Sequence, residues 1–168
     1  MTSVDRMATL QTPLASEHAV LTGSCGLIDR GERGKLLLTG DGAKEFLHGQ
    51  VSNDIEGLEA GQGCYAAFLT PKGKMLGDLR VLDGGDAGLW LDTERVALQE
   101  LFNVIIRFKL GRDVEVEKRT VQRGLLSLLG DDARDVAAAA LETGELPAAV
   151  EHAHTRARLA GADVRVIA

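Results

Sequence analysis

A carboxylate among apolar residues is the first feature of this sequence that could do chemistry. It is Asp78, in the stretch "TPKGKMLGDL" spanning residues 70–79. Asp78 stands between Gly77 and Leu79 in a strand-like run. It therefore reads as a satisfied polar residue of the core, a surface residue, or an acid facing a ligand. Two lysines and two glycines in the same stretch raise the question of a phosphate loop. A phosphate-cradling loop needs a first glycine and a Gly-Lys-Ser/Thr ending. Here Phe68 occupies the first place and Met75 follows Gly73-Lys74, so both anchors fail. Thr70-Pro71-Lys72-Gly73 reads instead as a β-turn, with proline second, where its fixed φ is wanted, and glycine fourth. The string Gly61-Gln62-Gly63-Cys64-Tyr65-Ala66 matches a dinucleotide fingerprint in letters. It runs into a strand rather than opening a helix, so its glycines are expected to set a loop geometry. Nucleophilic catalysis has no footing: no Gly-x-Ser-x-Gly is present, and Cys64 precedes Tyr65 in a strand, where a packed thiol is inert. His48 reads as a surface or cap residue at a helix end. His18 sits in the first helical segment, and its position assigns it no role. His152 and His154 fall in a polar stretch, expected to be an exposed strand or loop.

The elements that must position these groups follow from periodicity and punctuation. "LASEHAVLTG" predicts a short helix ending near Gly23. Two strands, "CGLIDR" and "GKLLLTG", flank the turn Gly31–Gly34. Asp41 is placed to cap a helix that carries Ala43, Phe46, Leu47 and Gln50 on one face. A polar loop, "VSNDIEGLEAGQG", leads into the strands "CYAAFLT" and "KMLGDLRVLD", with the hairpin turn "TPKG" between them. "GLWLD" is a third strand after "GGDAG". From Glu94 to Phe108 the spacing of Leu98, Leu101, Phe102, Ile105 and Phe108 predicts an amphipathic helix. "RDVEVEKR" alternates as a strand with one wet face, and "GLLSLLG" reads as a central strand. "DDARDVAAAALE" predicts a helix with acidic residues in its first turn and a buried face of Ala133, Val136, Ala137, Ala140 and Leu141. "ADVRVIA" closes the chain as a strand. Strands joined by short turns, mixed with helices, favour α+β with antiparallel sheets over a parallel fold, and the pattern changes character near residue 110.

Composition excludes several classes. The chain has 168 residues, 45% hydrophobic and 26% charged, which is a globular balance. A net charge of −6 argues against a general nucleic-acid binder. Cys25 and Cys64 lie far apart and form no paired motif, so neither a disulfide scaffold nor a zinc site is expected, and a cytoplasmic setting is the default. The sequence holds no apolar run of about 18 residues, so no membrane partner is expected, and "MTSVDRMATLQTPL" lacks the apolar core of a secretory signal.

Residues 25–82, "CGLIDRGERGKLLLTGDGAKEFLHGQVSNDIEGLEAGQGCYAAFLTPKGKMLGDLRVL", resemble the N-terminal domain of the YgfZ folate-binding family. That family is related to the glycine-cleavage T-protein, a tetrahydrofolate-dependent aminomethyltransferase. The matching features are Gly40 with "FLHGQVSND", then Gly61, Tyr65 and "PKGKM…DLRV". "GLLSLLGDDA" extends the likeness toward residue 145. The resemblance implies an α+β fold of antiparallel sheets and packed helices around a folate channel. It divides the chain into a loose leader at 1–20, a folate-binding-like domain at 21–110 and part of a second α+β domain at 111–168.

The resemblance also implies a tetrahydrofolate pocket built from Asn53, Asp54, Tyr65, Lys72, Met75 and Asp78. Asn53, Asp54 or Asp78 would pair with the pterin, and Tyr65 and Met75 would wall the aminobenzoyl ring. Lys72, Lys74 and Arg80 would meet the glutamate tail. T-proteins carry an aspartate pair where this chain has Gly77-Asp78, which removes the first acid. No residue is thereby assigned a catalytic role, and Asp78 remains the candidate. The late signature Lys-Gly-Cys-Tyr-x-Gly-Gln-Glu is absent, so the C-terminal part of the fold is expected to be missing, as in a fragment, a short form or a chain completed by a partner. The implied function is folate binding in the maintenance of iron–sulfur proteins and in tRNA modification, without strong catalysis. The alternatives are a T-protein-like one-carbon transferase with Asp78 as its acid, or a degenerate interaction domain without a ligand. The implied partners are folate and an iron–sulfur protein, and an apolar patch left by the missing segment would favour a homodimer.

Overall fold

The structure, a computed structural model, describes residues 14–168; the first part of the expected leader, residues 1–13, lies outside the described residues. Residues 14–20 of that leader are helical, in α1 (Leu14–Gly23). There follow β1 (Gly26–Asp29), β2 (Gly34–Thr39), α2 (Ala43–His48), β3 (Gly63–Leu69), β4 (Met75–Asp83) and β5 (Leu89–Thr93). After them come α3 (Arg95–Phe108), β6 (Glu115–Lys118), β7 (Leu126–Leu129), α4 (Ala133–Ala140), β8 (His154–Leu159) and β9 (Ala162–Ile167). The main sheet has the order β3-β4-β5-β2-β6, and all its pairings are antiparallel. The α+β architecture with antiparallel sheets is as the sequence predicts. The chain on the two sides of residue 110 shares sheets, because β6 pairs with β2 and β7 pairs with β1.

Alternation along the strands sorts the main sheet into two unlike faces. One carries Leu36, Leu38, Ala66, Phe68, Leu79, Val81 and Leu91, which pack under α2 and α3 as a single apolar core. From α3, Leu98, Leu101 and Ile105 close this core. Each contributes about 1.5–3 kcal/mol by leaving water. Phe108, expected on the same face, is exposed, since the helix ends there and the core has already been covered. The opposite face carries Tyr65, Asp78, Arg80, Asp92, Trp90 and Lys35, as the register requires: Tyr65 lies beside Arg80, Arg80 beside Asp92, and Asp92 beside Lys35.

Several local expectations change. Asp41 does not cap α2. The helix starts after Gly42 with no side-chain cap, and the Asp41 and Gly42 amides donate to the carboxylate and carbonyl of Asp113 at 3.1 and 3.0 Å. Gln50 lies beyond the end of that helix. The strand "GLLSLLG" is not central: β7 pairs only with β1 in a two-stranded sheet, and Leu126 and Leu129 are exposed. α4 buries none of its residues, and Val136 faces solvent. The first histidine pair member, His152, is half-buried and the second, His154, is buried at the start of β8, because its amide donates to the Gly61 carbonyl at 2.8 Å and ties the hairpin to the loop before β3.

Gly61 and Gly63 set the local geometry of the loop into β3, as the sequence predicts. Gly61 has φ +90°, and a Cβ on Gly63 would sit 2.6 Å from the Val81 carbonyl and 3.0 Å from Cβ of His152. The turn "TPKG" forms as expected, with Gly73 N–H donating to the Thr70 carbonyl and Thr70 N–H to the Lys74 carbonyl, both at 2.8 Å. That turn presents Lys72 to solvent and starts β4, the strand that carries Asp78.

Candidate functional site

The polar face of the sheet holds two linked groups of side chains. In the first, the Tyr65 hydroxyl donates to Oδ2 of Asp78. The two residues are diagonal neighbours across β3 and β4, where long side chains on one face meet. The backbone behind Asp78 is fixed by Thr93 of β5, whose buried hydroxyl donates to the Asp78 carbonyl at 2.6 Å. In the second group, Arg33 donates to Asp92 and Glu94, and Arg80 donates to Asp92 at 2.5 Å. Glu94 precedes α3 with extended backbone and makes no helix cap; its carboxylate goes to Arg33 instead.

Electrostatics joins the two groups. Burial works against the Arg33 charge, but Asp92, Glu94 and Asp78 outweigh it and hold the Arg33 pKa above its ordinary value. The Tyr65 phenol is also pushed up, first by its hydrogen bond to Asp78, then by desolvation and by the charge of that carboxylate. A neutral phenol donates to the carboxylate, whereas a phenolate would be repelled by it. Tyr65 is the only tyrosine in the chain, so spectrophotometric titration reads it directly. Its midpoint is expected above that of a free tyrosine in the native protein and to fall in Asp78→Asn; an unshifted native midpoint would deny the hydrogen bond.

The other residues implicated by the sequence divide. The Asn53 side-chain amide donates to the Tyr65 carbonyl at 2.9 Å, and Ser52 exchanges bonds with Ala67, so the 52–53 loop braces the edge of β3. Asp54 is engaged locally by the Gly57 amide at 3.0 Å, while Nδ1 of the neighbouring His48 accepts from the Ile55 amide at 3.3 Å. Burial first, and then the Asp54 charge, raises the Cys64 thiol pKa, which keeps that thiol protonated and inert. Met75 and Lys72 are exposed at the hairpin end of the same sheet, and a register shift between Phe68 and Leu69 bends the strand beside Met75. The structure thus brings Tyr65 and Asp78 together, attaches Asn53 through the backbone, and leaves Lys72 and Met75 at the rim.

Position 77 faces the other way. A Cβ there would lie 2.8 Å from Cβ of Ala97 in α3, with Leu101 next. A side chain at 77 would enter the apolar core and not stand beside Asp78. Of two consecutive acids in this strand, only the second can face the polar side.

Sequence reasoning passed over Arg33, Asp92, Glu94 and His152. Asp92 carried a signal, as a charged residue ending an apolar strand on the same parity as Trp90. His152 carried none. It reaches the site through a left-handed backbone (φ 64°) and stacks on the Tyr65 ring with centroids 6.5 Å apart. Burial first, and then Arg80, keep this imidazole neutral against the pull of Glu151. Among the described residues no group of three or more metal-ligating side chains is assembled, and no helix is long and apolar enough to cross a membrane.

The chain has relatives. The family model described as the GCVT N-terminal domain matches residues 5–168. An aminomethyltransferase of Prosthecochloris aestuarii (strain DSM 271 / SK 413) is 30% identical over 125 residues, covering 73% of this chain and 34% of that protein. The crystal structure of glycine cleavage system aminomethyltransferase T from Bartonella henselae is similar with a TM-score of 0.71 at 25% identity. That similarity covers 82% of this chain and 37% of the Bartonella chain, so this chain spans about a third of the length of the relatives it matches.

Proposed function

We propose, from the premise that this chain belongs to the GCVT N-terminal domain family, that it is a tetrahydrofolate-binding, aminomethyltransferase-like domain in which Asp78 is the carboxylate facing the ligand. The observation that carries the reading is the Tyr65–Asp78 pair on the polar face of the sheet, with the charges behind it already balanced. Arg33 and Arg80 are matched by Asp92 and Glu94, which leaves Asp78 as an acceptor for a ligand rather than a partner in an internal ion pair. The donor set fits a reduced folate. A pterin presents N–H donors, for which a carboxylate held by Tyr65 on one oxygen is the matching acceptor. The exposed faces of Tyr65 and Met75 suit a flat aromatic ring, and the exposed Lys72 and Lys74 suit an anionic tail. Tetrahydrofolate supplies the nitrogen that carries the one-carbon unit; the chain's residues bind and orient it.

Two finer readings divide on catalysis. A YgfZ-like role with an iron–sulfur protein as client and little turnover rests on the pattern of residues 25–82. Its argument from a lost acid at 77 weakens, since that position faces α3. A T-protein-like transferase is favoured by the same observation, because the acid that can face the polar side is present.

Calorimetric titration of the full chain with tetrahydrofolate is expected to give saturable, roughly one-to-one binding. A folded chain that takes up no heat at millimolar ligand would overturn the reading.

A further inference from the structure

At the far end of the polar face, β8 and β9 place two arginines against each other. Arg156 and Arg165 are direct cross-strand partners, so their side chains leave the hairpin on the same face. The neighbouring pair of the same hairpin is of opposite sign, with Arg158 Nε 3.9 Å from Asp163. Like charges directly opposite destabilise a hairpin unless something answers them. Among the described residues neither Arg156 nor Arg165 makes an ion pair. Asp83, a carboxylate beside the same cavity, is occupied by Lys44 Nζ at 2.6 Å and by the Gly85 amide at 2.8 Å.

Arg156 and Arg165 line an open cavity of about 80 Å³ together with Gly61, Asp83 and Gly84. That volume exceeds what a single water needs and admits a carboxylate- or phosphate-sized group. Gly84 makes room for the arginine: a Cβ there would stand 3.1 Å from Nη2 of Arg165. His154 also lines the cavity. It is 5% exposed, and its ring is held by the backbone, with Nδ1 3.4 Å from the His152 carbonyl. Burial first, and then Arg156 and Arg123, lower the Arg165 pKa against the attraction of Asp83, and its guanidinium lies over the Trp90 ring without a carboxylate partner among the described residues.

We propose that this cavity is a binding site for an oxyanion, a carboxylate or phosphate group gripped between the guanidinium groups of Arg156 and Arg165. Planar guanidinium forks suit both anions. The site is separate from Asp78: Asp83, which lines the cavity, and Asp78 stand five residues apart along β4, roughly 17 Å at strand spacing. It does not depend on the folate reading.

The chain carries its own reporter. Trp90 is its only tryptophan, and the Arg165 guanidinium lies 5.7 Å from the centre of its ring. The full chain is titrated with sodium phosphate and, separately, with glutarate, at constant ionic strength, and followed by tryptophan emission and calorimetry. A saturable change with at least one of them is expected. Phosphate alone would mark a phosphorylated ligand, glutarate alone a carboxylate ligand such as a glutamyl chain, and either result supports the site. Arg156→Gln, at an exposed position that the fold does not need, is expected to weaken binding about tenfold. Arg156→Lys is expected to lie between the two. Two outcomes overturn the proposal: no saturable response to either anion beyond that of matched sodium chloride, or an affinity that Arg156→Gln leaves unchanged.

Discussion

Replacing Asp78 by Asn lowers the affinity for tetrahydrofolate by about three- to tenfold while the thermal midpoint stays close to that of the parent chain. A hydrogen bond to a charged acceptor is worth about 1.5–3 kcal/mol, against about half that for a neutral one. Every 1.4 kcal/mol or so is tenfold in affinity. Asparagine keeps the shape and can still accept the Tyr65 hydroxyl, so what is removed is the charge offered to the ligand. The fold tolerates that loss because the nearby Arg33 is already matched by Asp92 and Glu94. Calorimetry with the folate and a thermal melt of the same sample are the two measurements. An affinity within about twofold of the parent would show that Asp78 is not the ligand's acceptor, and the assignment of the polar face would fall with it.

Gly77→Asp has the larger effect on stability. If the glycine marked a missing catalytic acid, restoring the acid would add activity. The packing says otherwise: the new Cβ would lie 2.8 Å from that of Ala97, and its carboxylate would point toward Leu101 in the apolar core. Overpacking and an unpaired charge each destabilise by a few kcal/mol, so a loss of about 3 kcal/mol or more is expected in denaturant unfolding. Ala97→Gly alone costs about 1 kcal/mol through helix propensity. Combined with Gly77→Asp it is expected to recover part of the loss, and this non-additivity is the signature of the close contact. A stable Gly77→Asp variant with new aminomethyl transfer would reverse the conclusion about which residue of the strand faces the ligand.

The main sheet was legible in the sequence wherever alternation was long and punctuated. "CYAAFLTPKGKMLGDLRVLD" shows two strands and their turn because Pro71 and Gly73 fix the turn chemistry, and the structure places β3 and β4 there. α3 was legible from its apolar stripe for the same reason. What short apolar runs cannot reveal is their partner. "GLLSLLG" has the composition of a central strand, yet it pairs only with β1, and nothing local to residues 124–130 encodes that. Asp41 failed as a cap because Asp113, remote in sequence, reaches the same amides first. At the candidate site, Asp78 stood out as a lone carboxylate in an apolar strand. Its neighbours Arg33 and Asp92 are 59 residues apart and meet only because β2 and β5 pair. Gly77 was misjudged for a related reason: one residue of offset in a strand exchanges the two faces, and the face is set by α3 above it.

The sheet order leaves β3 and β6 as edges, and each is closed to a further strand in its own way. β6 lines its rim with Glu115, Glu117 and Lys118, charges that an incoming strand would have to set beside its own. β3 has part of its outer hydrogen-bonding row in use, through the Val51–Phe68 bridge and the Ser52 and Asn53 bonds to Ala67 and Tyr65. Copies of this chain therefore find no long flat rim on the main sheet from which to grow a continuous cross-chain ribbon. The loop that braces Tyr65 thus also takes up part of the edge on which another copy would pair.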